Sequence, residues 1–205
     1  GMLEFLSTLS GQELLSGRSR SPYASTHPLT RDRIAFVEEQ VKNSRYSDEK
    51  LPEDLQQKHR RMVAKLHGFI RSPARTFKAY PDTDTSVEAR YARAVATYRL
   101  PDAEKAVSLV DDLLADYPDD PYFYELKGQI QFEDAKPAEA EVAYRKAHEA
   151  LPDAPRIELE LSRVLLALDT PEKDQEAQTH LEHVVQLIPN STFAWRQLAI
   201  AYGRN

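Results

Sequence analysis

The chain has 205 residues, of which 41% are hydrophobic and 29% are charged, and its formal net charge is −6. This balance predicts a soluble protein that is long enough to bury a sizeable core. No apolar run approaches the length that spans a membrane, and the absence of cysteine excludes both a disulfide framework and a cysteine-ligated zinc site.

Residues 1–85 are predicted to form an N-terminal helical segment. Leu3 to Leu15 favours a short amphipathic helix, and Gly17 to Thr30 is a loop rich in serine, arginine and proline. A second helix is expected to begin near Thr30, and a polar connector from Asn43 to Lys50 follows it.

A long helix is predicted from about Pro52 to Ile70, with apolar residues on one side and basic residues on the other. The basic side is Lys58, Arg60, Arg61 and Lys65, and the apolar side is Leu55, Met62, Val63, Leu66, Phe69 and Ile70. Nucleic acid is not the expected partner, because interleaved aromatic residues are nearly absent and the protein is acidic overall. We interpret the basic side as a solvated face that covers a neighbour with its aliphatic stems. A short helix from Ser72 to Tyr80 should follow.

Residues 86–205 carry the spacing of a 34-residue tetratricopeptide repeat. The clearest unit begins at Pro121 and has its signature residues at positions 4, 8, 20, 24, 27 and 32, namely Tyr124, Gly128, Ala140, Tyr144, Ala147 and Pro152. Small residues at positions 8 and 20 let two helices cross closely, and Pro152 ends the second helix.

The same register recurs before and after this unit. Pro118 closes an earlier unit, and Leu161 and Ser162 take positions 7 and 8 of a later one, which has about three extra residues near Thr170–Asp174 that we assign to the turn between its helices. A fourth unit stops after one helix. The expected fold is therefore all-α, a tetratricopeptide solenoid of about three and a half repeats behind an N-terminal helical segment.

The order of several segments also resembles a known family. The segments are GQELLSG, SPYASTHPLTRDRI, PEDLQQKHRRMVAKLHGFI, PDDPYFYELKGQI and FAWRQLAIAYGR. Together they are similar to the C-terminal region of bacterial periplasmic zinc metallopeptidases of the beta-barrel assembly-enhancing type. The resemblance implies the end of a protease domain followed by repeats, a location in the periplasm or cell envelope, and a site-lining role for His27 in a full-length parent.

The catalytic residues of that family are missing from this chain. Zinc-assisted hydrolysis requires an HExxH helix and a third ligand, and neither is present. We therefore expect no enzymatic activity and no cofactor in this chain, whereas a full-length parent would hold zinc. His180 and His183 lie one helical turn apart but lack an evident third ligand, so we interpret them as part of a solvated helix face.

The surface formed by the first helices of the repeats is the predicted partner-binding groove. Its residues are Tyr91, Val95, Tyr98, Arg99, Tyr122, Glu125, Gln129, Phe132, Glu133, Arg156, Leu159 and Arg163. The leading hypothesis is a non-catalytic module that binds a protein or peptide through these aromatic residues and uses the arginines to select acidic groups. An alternative places Tyr98, Tyr122 and Phe132 against the N-terminal helices.

Two other functions stay open from the sequence. On one hypothesis, the chain is a fragment of an active zinc metalloendopeptidase whose catalytic domain lies upstream. On the other, it is a scaffold that self-associates through the last helix. The scaffold hypothesis rests on Trp195, Leu198 and Tyr202, which share one face of an unpaired helix.

Overall fold

The structure is a computed structural model that describes residues 2–15, 30–47 and 49–204. These residues form eleven α-helices and no strand. They divide into two compact units, Gly1–Glu53 and Asp54–Asn205. The helices are α1 (Met2–Leu15), α2 (Thr30–Asn43), α3 (Glu53–Ile70), α4 (Pro73–Ala79), α5 (Val87–Tyr98), α6 (Ala103–Asp116), α7 (Pro121–Glu133), α8 (Pro137–Ala150), α9 (Pro155–Leu168), α10 (Pro171–Leu187) and α11 (Thr192–Arg204).

The smaller unit contains α1 and α2. These two helices contact each other, and Leu6 of α1 is 1% exposed. The HP loop that includes His27 lies outside the described residues.

The larger unit is the tetratricopeptide solenoid that the spacing predicts. Each pair α5/α6, α7/α8 and α9/α10 is a hairpin, and α11 packs against α10 as the first helix of an unfinished fourth repeat. The domain boundary predicted between residues 85 and 86 stays a prediction. In the structure, α3 and α4 belong to the same compact unit as the repeats.

Helix starts follow from capping residues. Ser86, Asp102, Asp120 and Thr170 each accept a backbone N–H of the first turn that follows them. Proline occupies the first position of α4, α7, α8, α9 and α10, where its missing N–H costs nothing. These local signals place the hairpins in register before any long-range packing is considered.

The centre of the second hairpin shows why position 8 is glycine. A Cβ built on Gly128 would lie 2.6 Å from Cδ2 of Tyr144, so α7 and α8 approach too closely for any other residue without a shift. Tyr144 and Ala140 are buried there, at 2% and 0% exposure. The small-residue crossing predicted from the spacing is therefore present.

The three extra residues of the third repeat do not lie in the turn, which corrects the sequence interpretation. The turn between α9 and α10 consists of Asp169 and Thr170 alone, and α10 is 17 residues long whereas α6 and α8 are 14. Thr170 caps α10 and Pro171 starts it, so the insertion is absorbed as nearly one extra helical turn.

Candidate partner-binding surface

Helix α3 lies along the first helices of the first two repeats. A Cβ on Gly68 would be 2.6 Å from Cβ of Val95, and the rings of Phe69 and Tyr98 meet edge to face with centroids 6.2 Å apart. Since contacts advance along α3 and α5 in the same direction, the two helices run parallel. α3 therefore runs alongside the first helix of the first repeat.

The basic side of α3 faces the acidic repeats. Arg60 pairs with Glu88 of α5 at 3.2 Å, and Arg61 pairs with Asp120 at 2.7 Å. Lys65 pairs with Glu125 of α7 at 2.7 Å. The guanidinium of Arg61 also covers the Phe123 ring, 4.7 Å from its centroid. These side chains are thus engaged within the larger unit and hold α3 over the seam between α5 and α7.

The apolar side of α3 is consequently exposed. Leu55, Met62, Leu66 and Ile70 are 46%, 52%, 45% and 74% exposed, whereas Ala64 and Gly68 face the repeats and are buried. Phe69 of the predicted apolar side packs against Tyr98 and Val63 is half-buried, but the other four residues of that side do not cover the repeats. The long basic side chains cover the repeats instead. We call these four exposed residues the α3 apolar stripe.

A pocket of about 330 Å³ opens where the α3 apolar stripe meets α7. It is lined by Lys58, Arg61, Met62, Lys65, Tyr91 and Tyr122. Tyr122 is 47% exposed, and the ammonium of Lys65 lies 6.0 Å from its ring centroid. The pocket combines an apolar surface with three cationic side chains, two of which already have carboxylate partners on the repeats.

The predicted groove residues divide by exposure. Tyr91 is only 2% exposed and packs edge to face on Phe123 with centroids 5.1 Å apart, so it supports the pocket from behind. Val95 and Leu159 are also buried. Tyr122 is exposed beside the pocket, so of these residues it offers a partner the largest surface.

Tyr98 is held in a polar network. Its hydroxyl donates to a carboxylate oxygen of Glu133 and accepts from the Gln129 amide at 3.2 Å. Burial and the Glu133 carboxylate raise the pKa of the Tyr98 hydroxyl, so it stays protonated at neutral pH. Together with the contact to Phe69, this network makes Tyr98 part of the support for α3.

The three predicted arginines differ in availability. Arg99 donates to the backbone carbonyls of Gly68 and Arg71 at the end of α3. Arg163 pairs with Glu160 and lies 5.3 Å from the ring centroids of Phe132 and Phe193. Arg156, at the start of α9, is exposed. Arg156 is therefore the arginine of the three best placed to meet a new acidic group.

His183 is exposed, as expected from the sequence, whereas His180 is half-buried, and both contact a buried carboxylate that the sequence interpretation did not include. Nδ1 of His180 lies 2.9 Å from Oε1 of Glu158, and Nδ1 of His183 lies 2.8 Å from Oε2 of the same carboxylate. Glu158 is 3% exposed. Glu158 occupies position 4 of the third repeat, which in the second repeat is the packing residue Tyr124. A carboxylate at this packing position was the feature of the sequence that could have indicated the cluster.

The last helix keeps part of its predicted exposed face. Trp195 and Tyr202 are 49% and 56% exposed, and their polar atoms bond to the Pro189 carbonyl at 2.9 Å and to Glu182 at 2.8 Å. Leu198 is 5% exposed and belongs to the core of the third and fourth repeats, which corrects its assignment to that face.

Comparison with solved structures identifies proteins of similar fold. Three solved structures of MamA, a tetratricopeptide-repeat protein, are similar to this chain, each with a TM-score of 0.56. A point mutant of MamA is 20% identical over 75% of this chain and 90% of its own length, and MamA MSR-1 is 19% identical over 73% and 87%. MamA AMB-1 is 20% identical over 74% and 83%.

This likeness shows the fold. No family model matches the chain, and no curated protein matches it. Within the described residues, every helix is too short or too polar to cross a membrane.

Proposed function

We propose that the larger unit is a non-catalytic module that binds an apolar segment of a partner protein or peptide. The observation that carries this proposal is the pocket of about 330 Å³ beside the α3 apolar stripe. Exposed apolar surface of this kind marks interaction sites in soluble proteins. The tetratricopeptide fold supports the same function, because its stacked first helices form an extended surface for partners.

The charges around the pocket define what should enter it. Arg61 and Lys65 are already paired with Asp120 and Glu125, so a carboxylate that reached either of them would have to break one of these pairs, and Lys58 has its own partner in Asp54. An uncharged aliphatic or aromatic side chain meets no such cost and buries Met62 and Tyr122. We propose that such a side chain anchors the partner in the pocket, and that Arg156 selects an acidic group elsewhere in the same partner.

Selection from a random peptide library tests the proposal with an unbiased set of segments. Peptides displayed on phage are selected on the purified chain, and the affinity of the best synthetic peptide is measured by isothermal titration calorimetry. We expect selected sequences to share an aromatic or aliphatic anchor. The substitutions Met62→Asp and Tyr122→Ala should each weaken binding roughly tenfold or more, because an interface anchor contributes upwards of about 1 to 2 kcal/mol.

Val142→Asp is the matched control for Met62→Asp. Val142 is 59% exposed on α8, a second helix, and Met62 is 52% exposed on α3. The control should leave peptide affinity unchanged. Equal loss in both variants, or no loss in either pocket variant, would count against the pocket as the binding site.

Self-association is a second candidate function, favoured by the exposure of Trp195 and Tyr202 on α11. We propose that this face packs against another copy of the chain, because two aromatic side chains that are about half exposed on one helix offer apolar surface to a partner. Sedimentation velocity over a range of concentrations should show a dimer that Trp195→Ala weakens. A monomer at the highest concentration would exclude it.

The relationship to a zinc metallopeptidase is a separate proposal that rests on segment order alone. On this hypothesis the chain is the recognition portion of a parent enzyme in the periplasm or cell envelope. Sequencing the gene upstream of this region tests it, since the hypothesis requires an HExxH-coding stretch there, and cell fractionation tests the location. An upstream region that lacks this motif would refute the parent-enzyme hypothesis and leave the binding module unaffected.

A further inference from the structure

Away from the pocket, a buried carboxylate is surrounded by imidazoles. Glu158 of α9 is 3% exposed, and its two oxygens contact His180 and His183 of α10 at 2.9 and 2.8 Å. A buried carboxylate is costly unless cations or several hydrogen bonds compensate it. The two imidazole contacts therefore supply partners to a carboxylate that burial would otherwise leave uncompensated.

A third imidazole reaches the same place from the neighbouring hairpin. The ring of His148 on α8 meets that of His180 edge to face, with centroids 5.3 Å apart. Its Nδ1 is buried and has no hydrogen-bond partner in the described part of the chain.

The three side chains together have the spacing of a metal site. One ligand atom from each of His148, Glu158 and His180 lies within 4.8 Å of the other two. In a tetrahedral zinc site with bonds of about 2.1 Å, ligand atoms are about 3.4 Å apart, so rotamer adjustments of about 1 Å bring these atoms into range. Two imidazoles and one carboxylate are a known zinc ligand set, and imidazole ligands favour zinc, nickel or cobalt over magnesium and calcium.

We propose that His148, Glu158 and His180 bind one divalent transition-metal ion of the zinc type. The unliganded oxygen of Glu158 keeps its bond to His183, which orients the carboxylate as hydrogen-bonded partners do in metal sites. The ion ties together α8, α9 and α10, and therefore fixes the second hairpin against the third. Three protein ligands leave the fourth position of a tetrahedral ion to water, and the site is independent of the pocket at α3 and of any zinc in a parent enzyme.

Metal titration of the tag-free chain tests this site. After dialysis against a chelator, ZnCl₂ is titrated by calorimetry, and CoCl₂ is titrated by visible absorption. We expect binding of one ion per chain, a tetrahedral Co²⁺ spectrum that Zn²⁺ abolishes, and a higher unfolding temperature with metal. His148→Gln and His180→Gln should each weaken binding roughly tenfold or more.

Two variants serve as references. His59→Gln removes an exposed histidine on α3 and should leave the affinity unchanged. His183→Gln removes the orienting bond and should weaken binding less than loss of a ligand. If a ligand variant fails to fold, the Co²⁺ spectrum of the unaltered chain decides. An octahedral spectrum, binding without saturation at one equivalent, or equal loss in His59→Gln would overturn the proposal.

Discussion

Replacing Gly128 by alanine tests the packing at the heart of the repeat. Alanine gains about 1 kcal/mol over glycine inside a helix. Against this, the new Cβ would lie 2.6 Å from the Tyr144 ring, and carbon atoms in ordinary contact are about 3.5 to 4.0 Å apart. The ring is 2% exposed and cannot swing into solvent, so it or α7 must move by about 1 Å.

The balance of these two terms sets the expected result. Overpacking of this kind costs about 1 to 3 kcal/mol. The net effect should be a destabilisation of about 1 kcal/mol, which corresponds to a fall of about 2 to 4 °C in the melting temperature for a chain of this length. Urea denaturation followed by circular dichroism measures it.

Gly203→Ala is the matched control. A Cβ at Gly203, near the end of α11, meets nothing within 4 Å, so the helix-propensity gain is unopposed there. We expect this variant to be as stable as the original chain or slightly more stable. If Gly128→Ala were stabilised to the same extent, Gly128 and Tyr144 would not be in contact, and the reasoning for a glycine at position 8 would fail.

Three further predictions concern single groups in the repeats. The buried Tyr91 hydroxyl has no partner among the described residues, so Tyr91→Phe should raise the free energy of unfolding by up to about 1 kcal/mol; a loss would reveal a hidden partner. Arg145 donates to both oxygens of Glu176 at 2.7 and 2.8 Å and thereby lowers the pKa of that carboxyl below 4.5. This stabilisation is present above pH 4.5 and is lost as the pH falls through the lowered pKa. Arg145→Gln should therefore lower the free energy of unfolding by up to about 1 kcal/mol at pH 7 and by less at pH 3. An equal loss at both pH values would contradict the ion pair. Asp120 accepts the N–H groups of Tyr122 and Phe123, so Asp120→Ala should lower the free energy of unfolding by about 1 to 2 kcal/mol. Asp120→Asn, which preserves the cap, should recover most of this loss, and an equal loss in both variants would contradict the capping role.

The repeat architecture could be predicted because its signals are local and periodic. The spacing of Gly128, Ala140 and Tyr144 fixes which residues meet inside a hairpin, and caps and prolines fix where helices begin. The basic side of α3 was expected to cover a neighbour, but which neighbour it meets could not be predicted in the same way. Its amphipathic pattern indicated an apolar side, but the neighbouring acidic repeats select the side of Arg61 and Lys65, and that choice depends on partners distant in sequence.

The histidine cluster escaped prediction for a related reason. His180 and His183 alternate with core positions on α10, and a pattern of this kind is typical of a solvated face. Glu158 lies on α9 and His148 on α8, so only the stacking of adjacent hairpins brings the four side chains together. The pocket likewise joins α3 to α7, whose lining residues Met62 and Tyr122 are 60 positions apart.

Hydrogen exchange in the presence of a selected peptide tests the central claim most directly. Backbone amide exchange of the chain is compared with and without saturating peptide by mass spectrometry. The binding-module proposal predicts slower exchange in residues 58–66 of α3 and 121–129 of α7, with little change in α6, α8 and α10. Protection confined to those second helices, with none in α3 or α7, would contradict it.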